Sequence, residues 1–286
     1  MIRSLPNSRA YTLAFKLYAV FFFTFLFAPL AVTCVLAFND SQFPALPWKG
    51  FTLEWFFGDL GHRVGLFHDA IILDSIWVSF RTAFFVTLLS TLVGICGAFL
   101  FEQENFRFKQ GLYFLMLAPL VVPGVILGIS ILLFSNTLGL YFEETRGIDV
   151  GLFRPGFWLV VLGQFSFIST LTTLIVSARL RKFDPSLEEA ALNLGATRFQ
   201  VIRCITLPYL KPAILSAAAI AFLMSFENFN TTLFLVGSET TLPINLYLQV
   251  RDGSTPVINA VSFLLIVSTS LLALGNLYIS RRMGAD

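Results

Sequence analysis

Charged side chains are scarce in this sequence. Only 13% of the 286 residues are Asp, Glu, Lys or Arg, whereas soluble domains average about 25%. Apolar residues make up 56% of the chain, and Phe alone contributes 33 residues. The formal net charge of +2 is too small to indicate a nucleic-acid partner. This composition predicts a polytopic membrane protein whose surroundings are largely lipid.

Cysteine and histidine are also rare. The three cysteines lie far apart without a CxxC pair, so the sequence predicts neither a disulfide framework nor a zinc site. The two histidines, His62 and His68, lack the spacing of metal ligands on a helix, and no metal site is predicted. No Gly-Lys dipeptide occurs, which excludes a Walker A loop for ATP phosphates. No predicted span carries a His that could activate a buried Ser, so we expect no enzyme activity.

Six apolar runs are long enough to cross a bilayer core, which requires about 20 residues. They cover residues 17–38, 82–101, 112–135, 156–178, 213–236 and 257–279. The sequence therefore predicts an all-α fold with six transmembrane helices in one domain over residues 1–286. An even number of spans places both termini on the same side.

The distribution of Lys and Arg predicts on which side of the membrane the two termini lie. With both termini cytoplasmic, thirteen basic residues lie inside: Arg3, Arg9, Lys16, Arg107, Lys109, Arg179, Arg181, Lys182, Arg198, Arg203, Lys211, Arg281 and Arg282. Five lie outside (Lys49, Arg63, Arg146, Arg154 and Arg251), and Arg81 lies at the outer end of the second span. Because cytoplasmic loops carry the excess of basic residues, we expect cytoplasmic termini.

The charged interval over residues 184–208 predicts two short helices between membrane spans. Asp184, followed by a proline, is typical of a helix start. Gly195 suits a left-handed stop. Thr197 and Gln200 have the spacing of a capping box that begins a second helix. We expect a compact helical knob, defined here as residues 184–208, on the cytoplasmic membrane surface.

The knob carries a spaced motif. It consists of Glu189, Ala190 and Ala191, then Gly195 after three residues, then Ile205 after nine more, followed by Leu207 and Pro208. At every spaced position the chain resembles the EAA motif of binding-protein-dependent ABC importer permeases of type I fold. The resemblance implies that the knob is a coupling helix that docks into a groove on a cytoplasmic ATPase subunit. From the residues alone, an amphipathic helix lying on the membrane surface stays an alternative.

The resemblance implies several partners as well. It implies two ATPase subunits, a second and related permease subunit, and a substrate-binding protein. ATP and Mg are expected on the ATPase subunits, and no cofactor is expected on this chain. The implied location is the bacterial inner membrane, and the implied mechanism is alternating access.

Glu227 is the only acidic residue within the six predicted spans. A charge near the bilayer centre costs about 2.5–3.5 kcal/mol on insertion scales, so such a residue is expected to have a role. At helical spacing, polar side chains would lie on one side of the fifth span. We predict a substrate pathway lined by Glu227, Asn228, Asn230, Thr231 and, from the fourth span, Gln164. The alternative is a protonated Glu227 that hydrogen-bonds between helices.

Pro119, Pro123 and Gly124 predict a break in the helix of the third span. Such a break is tolerated where protein or a water-filled cavity satisfies the freed backbone groups. We therefore expect this span beside the pathway, unless packing alone explains the kink.

In the first outer loop, Trp48 and Trp55 are predicted to lie at headgroup level.

Residues 50–56 and the region 242–260 resemble the spermidine/putrescine permease subgroup, which implies a polyamine or related organic cation as substrate. The chain departs from that subgroup at Asn228, where a second acidic residue is frequent. It also departs at Gln164 and Thr170, where a His and a Pro are frequent. Importers for an amino-acid derivative, an opine or ferric ion therefore stay open. A stand-alone secondary carrier, which would need no ATPase, is a further alternative.

Overall fold

The chain folds mostly as helices. The computed structural model describes residues 9–44, 46–61, 63–253 and 255–283; Arg3 and His62 lie outside them. The helices are α1 (Arg9–Leu36), α2 (Glu54–Phe57), α3 (Ala70–Gln103), α4 (Lys109–Val121), α5 (Gly124–Arg146), α6 (Phe157–Leu180), α7 (Ser186–Asn193), α8 (Arg198–Val201), α9 (Leu207–Phe226), α10 (Leu242–Gly253) and α11 (Val257–Met283). A small hairpin pairs β1 (Asp59–Leu60) antiparallel with β2 (Arg63–Val64). The predicted all-α class is confirmed.

Five helical stretches in the described part of the chain are long and apolar enough to cross a membrane. They are Ala10–Leu36, Ala70–Gln103, Gly124–Arg146, Phe157–Leu180 and Arg198–Phe226, and a shorter apolar helix covers Val257–Leu271. Each of these six stretches overlaps one predicted span, although the third shares only residues 124–135 with the predicted 112–135. The second is longer than the predicted 82–101, because α3 begins before the predicted bilayer entry.

Residue contacts divide the chain into two compact units. The first contains the described residues up to Leu73 together with Gln249–Ile279. The second contains Asp74–Leu248 and the described residues from Ser280. The prediction of a single permease domain over residues 1–286 stays a prediction.

The second unit is built around α6. This helix packs along α9, where Val176 of α6 and Leu210 of α9 join one buried apolar cluster. On another side α6 touches α3 closely, because a Cβ on Gly94 would lie only 2.4 Å from Thr172 Oγ1. The same Thr172 hydroxyl donates a hydrogen bond to the Ser90 carbonyl at 2.6 Å. Helix α6 is therefore held on two sides by neighbouring helices.

The third predicted span consists of two helices. Val122 and Pro123, between α4 and α5, are extended, with ψ of 128° and 134°. Proline disfavours the helical region for the residue before it, which explains the extended Val122. The predicted break is thus confirmed at Pro123, whereas Pro119 stays inside α4. Helix α5 then starts anew at Gly124.

The predicted helix over residues 213–236 is wrong in its second half. Helix α9 ends at Phe226, residues 227–231 form a turn, and a 3-10 helix over Thr232–Phe234 follows. The Asn228 Oδ1 atom accepts hydrogen bonds from the Thr232 N–H at 3.3 Å and from its hydroxyl at 2.8 Å. Such side-chain bonds offer the backbone an alternative to continued helix. The predicted helical face of polar side chains therefore does not form.

In the first unit, the segment that follows α1 packs around Arg63. Its guanidinium contacts Asp40 at 2.8 Å and Glu54 at 2.5 Å, and lies over the Trp55 ring. The hydrogen bond to Glu54, followed in size by the one to Asp40, raises the pKa of Arg63. The Trp55 Nε1 atom donates to the Asn39 carbonyl at 2.8 Å, and the ring is buried. Trp55 is thus enclosed by this local fold, and its predicted position at headgroup level stays a prediction, as does that of Trp48.

Gly128 lies where α5 touches the 227–231 turn, and its substitution tests that contact. A Cβ there would lie 2.6 Å from the Thr231 carbonyl oxygen, so Gly128→Ala must push α5 away. We expect a loss of about 1–3 kcal/mol, measured as a lower melting temperature of the purified protein. Gly139→Ala on the same helix is the control, since its Cβ would lie 3.4 Å from Phe153 Cβ. Equal melting temperatures for the two variants would contradict the close approach.

Candidate coupling and translocation sites

The first helix of the knob begins with the predicted cap. The Asp184 Oδ1 atom accepts a hydrogen bond from the Ser186 N–H at 3.0 Å, and Pro185 has helical dihedral angles directly before α7. This backbone hydrogen bond lowers the pKa of Asp184. The stabilisation that this hydrogen bond gives the folded protein is therefore complete above the pKa that Asp184 has in the unfolded chain. It is lost as the pH falls through the lower pKa that Asp184 has in the folded protein. At neutral pH the cap is fully formed.

Helix α7 ends in a left-handed turn at Gly195, where φ is +88°. The Gly195 N–H donates to the Leu192 carbonyl at 3.0 Å, and the Ala196 N–H donates to the Ala191 carbonyl at 3.1 Å. This pair of bonds is the Schellman arrangement that satisfies the last carbonyls of a helix. The left-handed stop predicted for Gly195 is confirmed.

The second helix begins with the predicted capping box. The Gln200 N–H donates to Thr197 Oγ1 at 3.3 Å, and the Thr197 N–H donates to Gln200 Oε1 at 2.8 Å. After α8 the backbone passes through a π-helical turn, Ile202–Thr206, in which the Leu207 N–H bonds to the Ile202 carbonyl. Helix α9 follows without interruption, so the second half of the knob is continuous with the fifth span.

The motif residues differ in exposure. Ile205 is half-buried and packs against the cluster that contains Leu180 and Leu210. Ala191 and Leu207 are also half-buried, whereas the exposed motif residues are Glu189, Ala190, Gly195 and Pro208. The first part of the motif thus faces outward and the last part joins the span. The coupling role of these residues stays a prediction.

The knob also exposes large apolar side chains. Leu194 is 89% exposed and Phe199 is 69% exposed. Exposed apolar patches on a protein surface mark interaction sites more often than isolated apolar residues do. Together with Glu189, the exposed side chains of the knob therefore include both acidic and apolar groups.

Gln164 connects α6 to the 227–231 turn. Its side chain is fully buried; Nε2 donates to Thr232 Oγ1 at 2.8 Å, and Oε1 accepts from Ser225 Oγ. The Thr232 hydroxyl in turn donates to Asn228 Oδ1. Ser225, Gln164, Thr232 and Asn228 therefore form one polar network, called here the Gln164 network. Both ends of the Gln164 amide are used inside the protein, so this residue holds the turn in place.

The other predicted pathway residues lie in or beside the same turn. Glu227 and Asn230 are exposed, Asn228 is half-buried and Thr231 is buried. Glu227 directly follows Phe226, the last residue of α9, and lies near the negative end of the helix dipole, which is unfavourable for a negative charge. Within the described residues, no ion pair neutralises this carboxylate. The assignment of these residues to a substrate pathway stays a prediction.

The two interrupted spans meet at this turn. A Cβ on Gly124, the first residue of α5, would lie 3.0 Å from Asn230 Cβ, and Gly128 touches the Thr231 backbone. Non-helical backbone at membrane depth is tolerated where protein or an aqueous cavity satisfies it. The structure thus places the break at Pro123 beside the break after Phe226.

Sequence reasoning missed Ser225 and Thr232 as partners of Gln164, and Thr206 as a partner of Glu188 within the knob. The i, i+4 spacing of Asn228 and Thr232 was an available local signal for the turn. No local signal connects Gln164 to Ser225, because 61 positions separate them in the chain.

In the described part of the chain, no three His, Cys, Asp or Glu side chains come together as metal ligands would. The expectation that this chain binds no metal or cofactor stays a prediction. So does the expectation of ATP and Mg on partner subunits.

Together, the helices and the two interrupted spans define a multi-pass membrane protein, with the helical knob between two of its spans. Residues 90–284 match the family described as binding-protein-dependent transport system inner membrane component. This range includes both the knob and the 227–231 turn. The chain belongs to this family, and it is a membrane component of a transport system rather than an enzyme.

Individual relatives agree with this assignment. The chain is 32% identical to the putrescine transport system permease protein PotI of Escherichia coli K12, over 91% of this chain and 88% of PotI. It is 27% identical to the spermidine/putrescine permease PotC of Haemophilus influenzae, over 91% of this chain and 93% of PotC. A crystal structure of a bacterial ABC transporter that imports the acidic polysaccharide alginate matches with a TM-score of 0.75, over 95% of both chains. At 19% identity the last likeness concerns the fold, and it confirms the predicted importer permease fold.

The left-handed turn at Gly195 is testable by substitution. A Cβ at Gly195 would meet nothing within 4 Å, so only the backbone conformation is at issue. Left-handed geometry costs most side chains about 1–2 kcal/mol, whereas Asn adopts it more readily. We expect Gly195→Val to lower uptake by about tenfold at equal membrane insertion, and Gly195→Asn to retain most of it. Wild-type uptake by Gly195→Val would show that this turn geometry is not needed for coupling.

Proposed function

We propose that this chain is a permease subunit of an ATP-driven importer for a polyamine or a related organic cation. The observation that carries the substrate class is the carboxylate of Glu227, which is exposed at the interruption of the fifth span. A fixed negative charge there lowers the barrier for a cation and raises it for an anion, more strongly at low dielectric. The relatives PotI and PotC, which are named as permeases of putrescine and spermidine/putrescine transport systems, support the same class.

The environment of Glu227 favours a role toward substrate over a role in helix packing. A carboxylate that joined helices would be buried against a hydrogen-bond partner, whereas Glu227 is exposed. The Gln164 network already supports the turn without it. A single carboxylate cannot neutralise a polyvalent amine, so a second permease subunit would contribute further acidic groups.

The proposed assembly contains two ATPase subunits, a second and related permease, and a substrate-binding protein. ATP and Mg would be bound by the ATPase subunits, toward which the knob presents Glu189, Leu194 and Phe199. The excess of basic residues in segments such as 179–211 supports cytoplasmic termini and a cytoplasmic knob. The binding protein would deliver substrate from the opposite side.

The proposed mechanism is alternating access driven from the knob. Closure of the ATPase subunits would displace α7 and α8, and α8 continues through the π-helical turn into α9. Helix α9 packs along α6, and its far end carries Glu227. Because α5 starts against the same turn, displacement of α9 would move both interrupted spans and change access to the carboxylate.

A second candidate is an importer for another small solute, such as an amino-acid derivative, an opine or ferric ion. It is favoured by Asn228, which stands where the polyamine subgroup often has a second acid. The Asn228 Oδ1 atom is occupied by Thr232, so Asn228 is engaged in supporting the turn. A solute with a single positive charge would need only Glu227.

The direct test is reconstitution of the complex with the ATPase, second permease and binding protein encoded beside this chain. Proteoliposomes with internal ATP and external binding protein should take up labelled putrescine, and excess spermidine should compete. Competition by an opine or ferric ion but not by amines would favour the second candidate. Uptake by this chain without ATPase subunits would instead indicate a secondary carrier.

The role of Glu227 is tested by Glu227→Gln, which keeps size and hydrogen bonding but removes charge. We expect assembly to persist and cation uptake to fall by about tenfold, equivalent to about 1.4 kcal/mol of barrier. Glu227→Asp should reduce uptake less, because the charge is retained. Glu144→Gln, at an exposed position near the end of α5, is the control. If Glu227→Gln transports like the wild type, the carboxylate has no part in the pathway.

A further inference from the structure

Glu188 and Thr206 connect the first helix of the knob to the start of the fifth span. We propose that Glu188 is a positioning residue that transmits movement of α7 to α9 through its hydrogen bond to Thr206. The proposal rests on the proposed function, since transmission matters only if ATPase subunits act on the knob. It assigns a role to a residue outside the spaced motif.

The contact between the two side chains is close. The Thr206 hydroxyl donates to Glu188 Oε1 at 2.5 Å, and the Thr206 side chain is fully buried. The Gln103 Nε2 atom, from the end of α3, lies 3.4 Å from both oxygens of the same carboxylate. One carboxylate thus reaches α3 and the start of the fifth span from α7.

Hydrogen bonding, rather than packing, holds this carboxylate in place. Glu188 is half-buried and borders a cavity of about 720 Å³ that is also lined by Glu102, Arg181 and Arg198. A side chain beside such a cavity is free to rotate away unless a specific bond retains it. Thr206 supplies that bond. Charge-assisted hydrogen bonds of this kind are stronger than those between neutral groups.

Glu189, the acidic residue next to Glu188, points in a different direction. Consecutive helical side chains point about 100° apart, and Glu189 is exposed whereas Glu188 is half-buried. Glu189 is therefore available to a partner protein, and Glu188 bonds within its own chain. In this proposal Glu189 contacts the ATPase subunit, and Glu188 transmits the movement to the fifth span.

The chain path between α7 and α9 explains why a direct bond is needed. Residues 194–197 between α7 and α8 are non-helical, and nothing lies within 4 Å of a Cβ added at Gly195. The π-helical turn Ile202–Thr206 follows, and such turns are frequent at functional sites. Movement passed along the backbone would have to cross both elements. The Glu188–Thr206 bond joins α7 directly to the last residue of the turn, which is also the N-cap of α9.

The test uses the complete complex in proteoliposomes and measures substrate imported per ATP hydrolysed. Thr206→Val keeps the shape of the side chain but removes the donor, and Glu188→Ala removes the acceptor. Thr206→Ser and Glu188→Gln are the matched controls, because each retains the hydrogen bond. We expect substrate per ATP to fall by about tenfold in the first pair, the order expected for loss of a bond to a charged group. The control pair should stay near the wild-type ratio.

A double variant adds an independent criterion. If the bond carries the effect, Thr206→Val combined with Glu188→Ala should lower the ratio no further than either alone. An unchanged ratio in Thr206→Val, or an equal loss in Thr206→Ser, would overturn the proposal. Failure of both Thr206→Val and Glu188→Ala to assemble would also overturn it, because the bond would then serve folding alone. A wild-type complex that imports without ATP would instead refute the proposed function.

Discussion

A bilayer core offers no water to a broken helix, and this constraint shapes the unit built around α6. Two of its spans are interrupted, one at Val122 and Pro123 and the other after Phe226. Both interruptions need polar partners from the protein. The uninterrupted helix α6 supplies partners after Phe226 through Gln164, whose amide reaches Ser225 and Thr232. On its other side, the Thr170 hydroxyl of α6 donates to the Met116 carbonyl of α4 at 2.7 Å, so α6 contacts both discontinuous spans.

The knob and the 227–231 turn lie at opposite ends of one helix. Helix α9 has 20 residues, which corresponds to about 30 Å at 1.5 Å per residue. It packs along α6, so one helix runs from the knob to the turn that carries Glu227. The proposed coupling surface and the proposed substrate carboxylate are therefore separated in space but joined by one element.

Local chemistry made some features predictable from the sequence. The cap at Asp184, the stop at Gly195 and the capping box at Thr197 each depend on neighbouring residues, and all three form. The end of α9 was not predictable from hydrophobicity, because it depends in part on Gln164, which lies 68 positions from Thr232. The burial of Trp55 likewise depends on contacts such as that with Asn39, made only after the outer segment has folded. Apolar length identifies a span, but it does not show where tertiary hydrogen bonds end it.

The π-helical turn at Ile202–Thr206 determines which side chains of α8 and α9 lie on the same side of their common axis. A π turn accommodates one residue more than an α turn, so side chains before and after it are out of phase around the common axis. The face of α8 that carries the exposed Phe199 is therefore not prolonged as a stripe along α9. The exposed side chains of α8 and those of α9 therefore lie on unconnected stripes. A substitution in one stripe leaves the surface of the other unchanged.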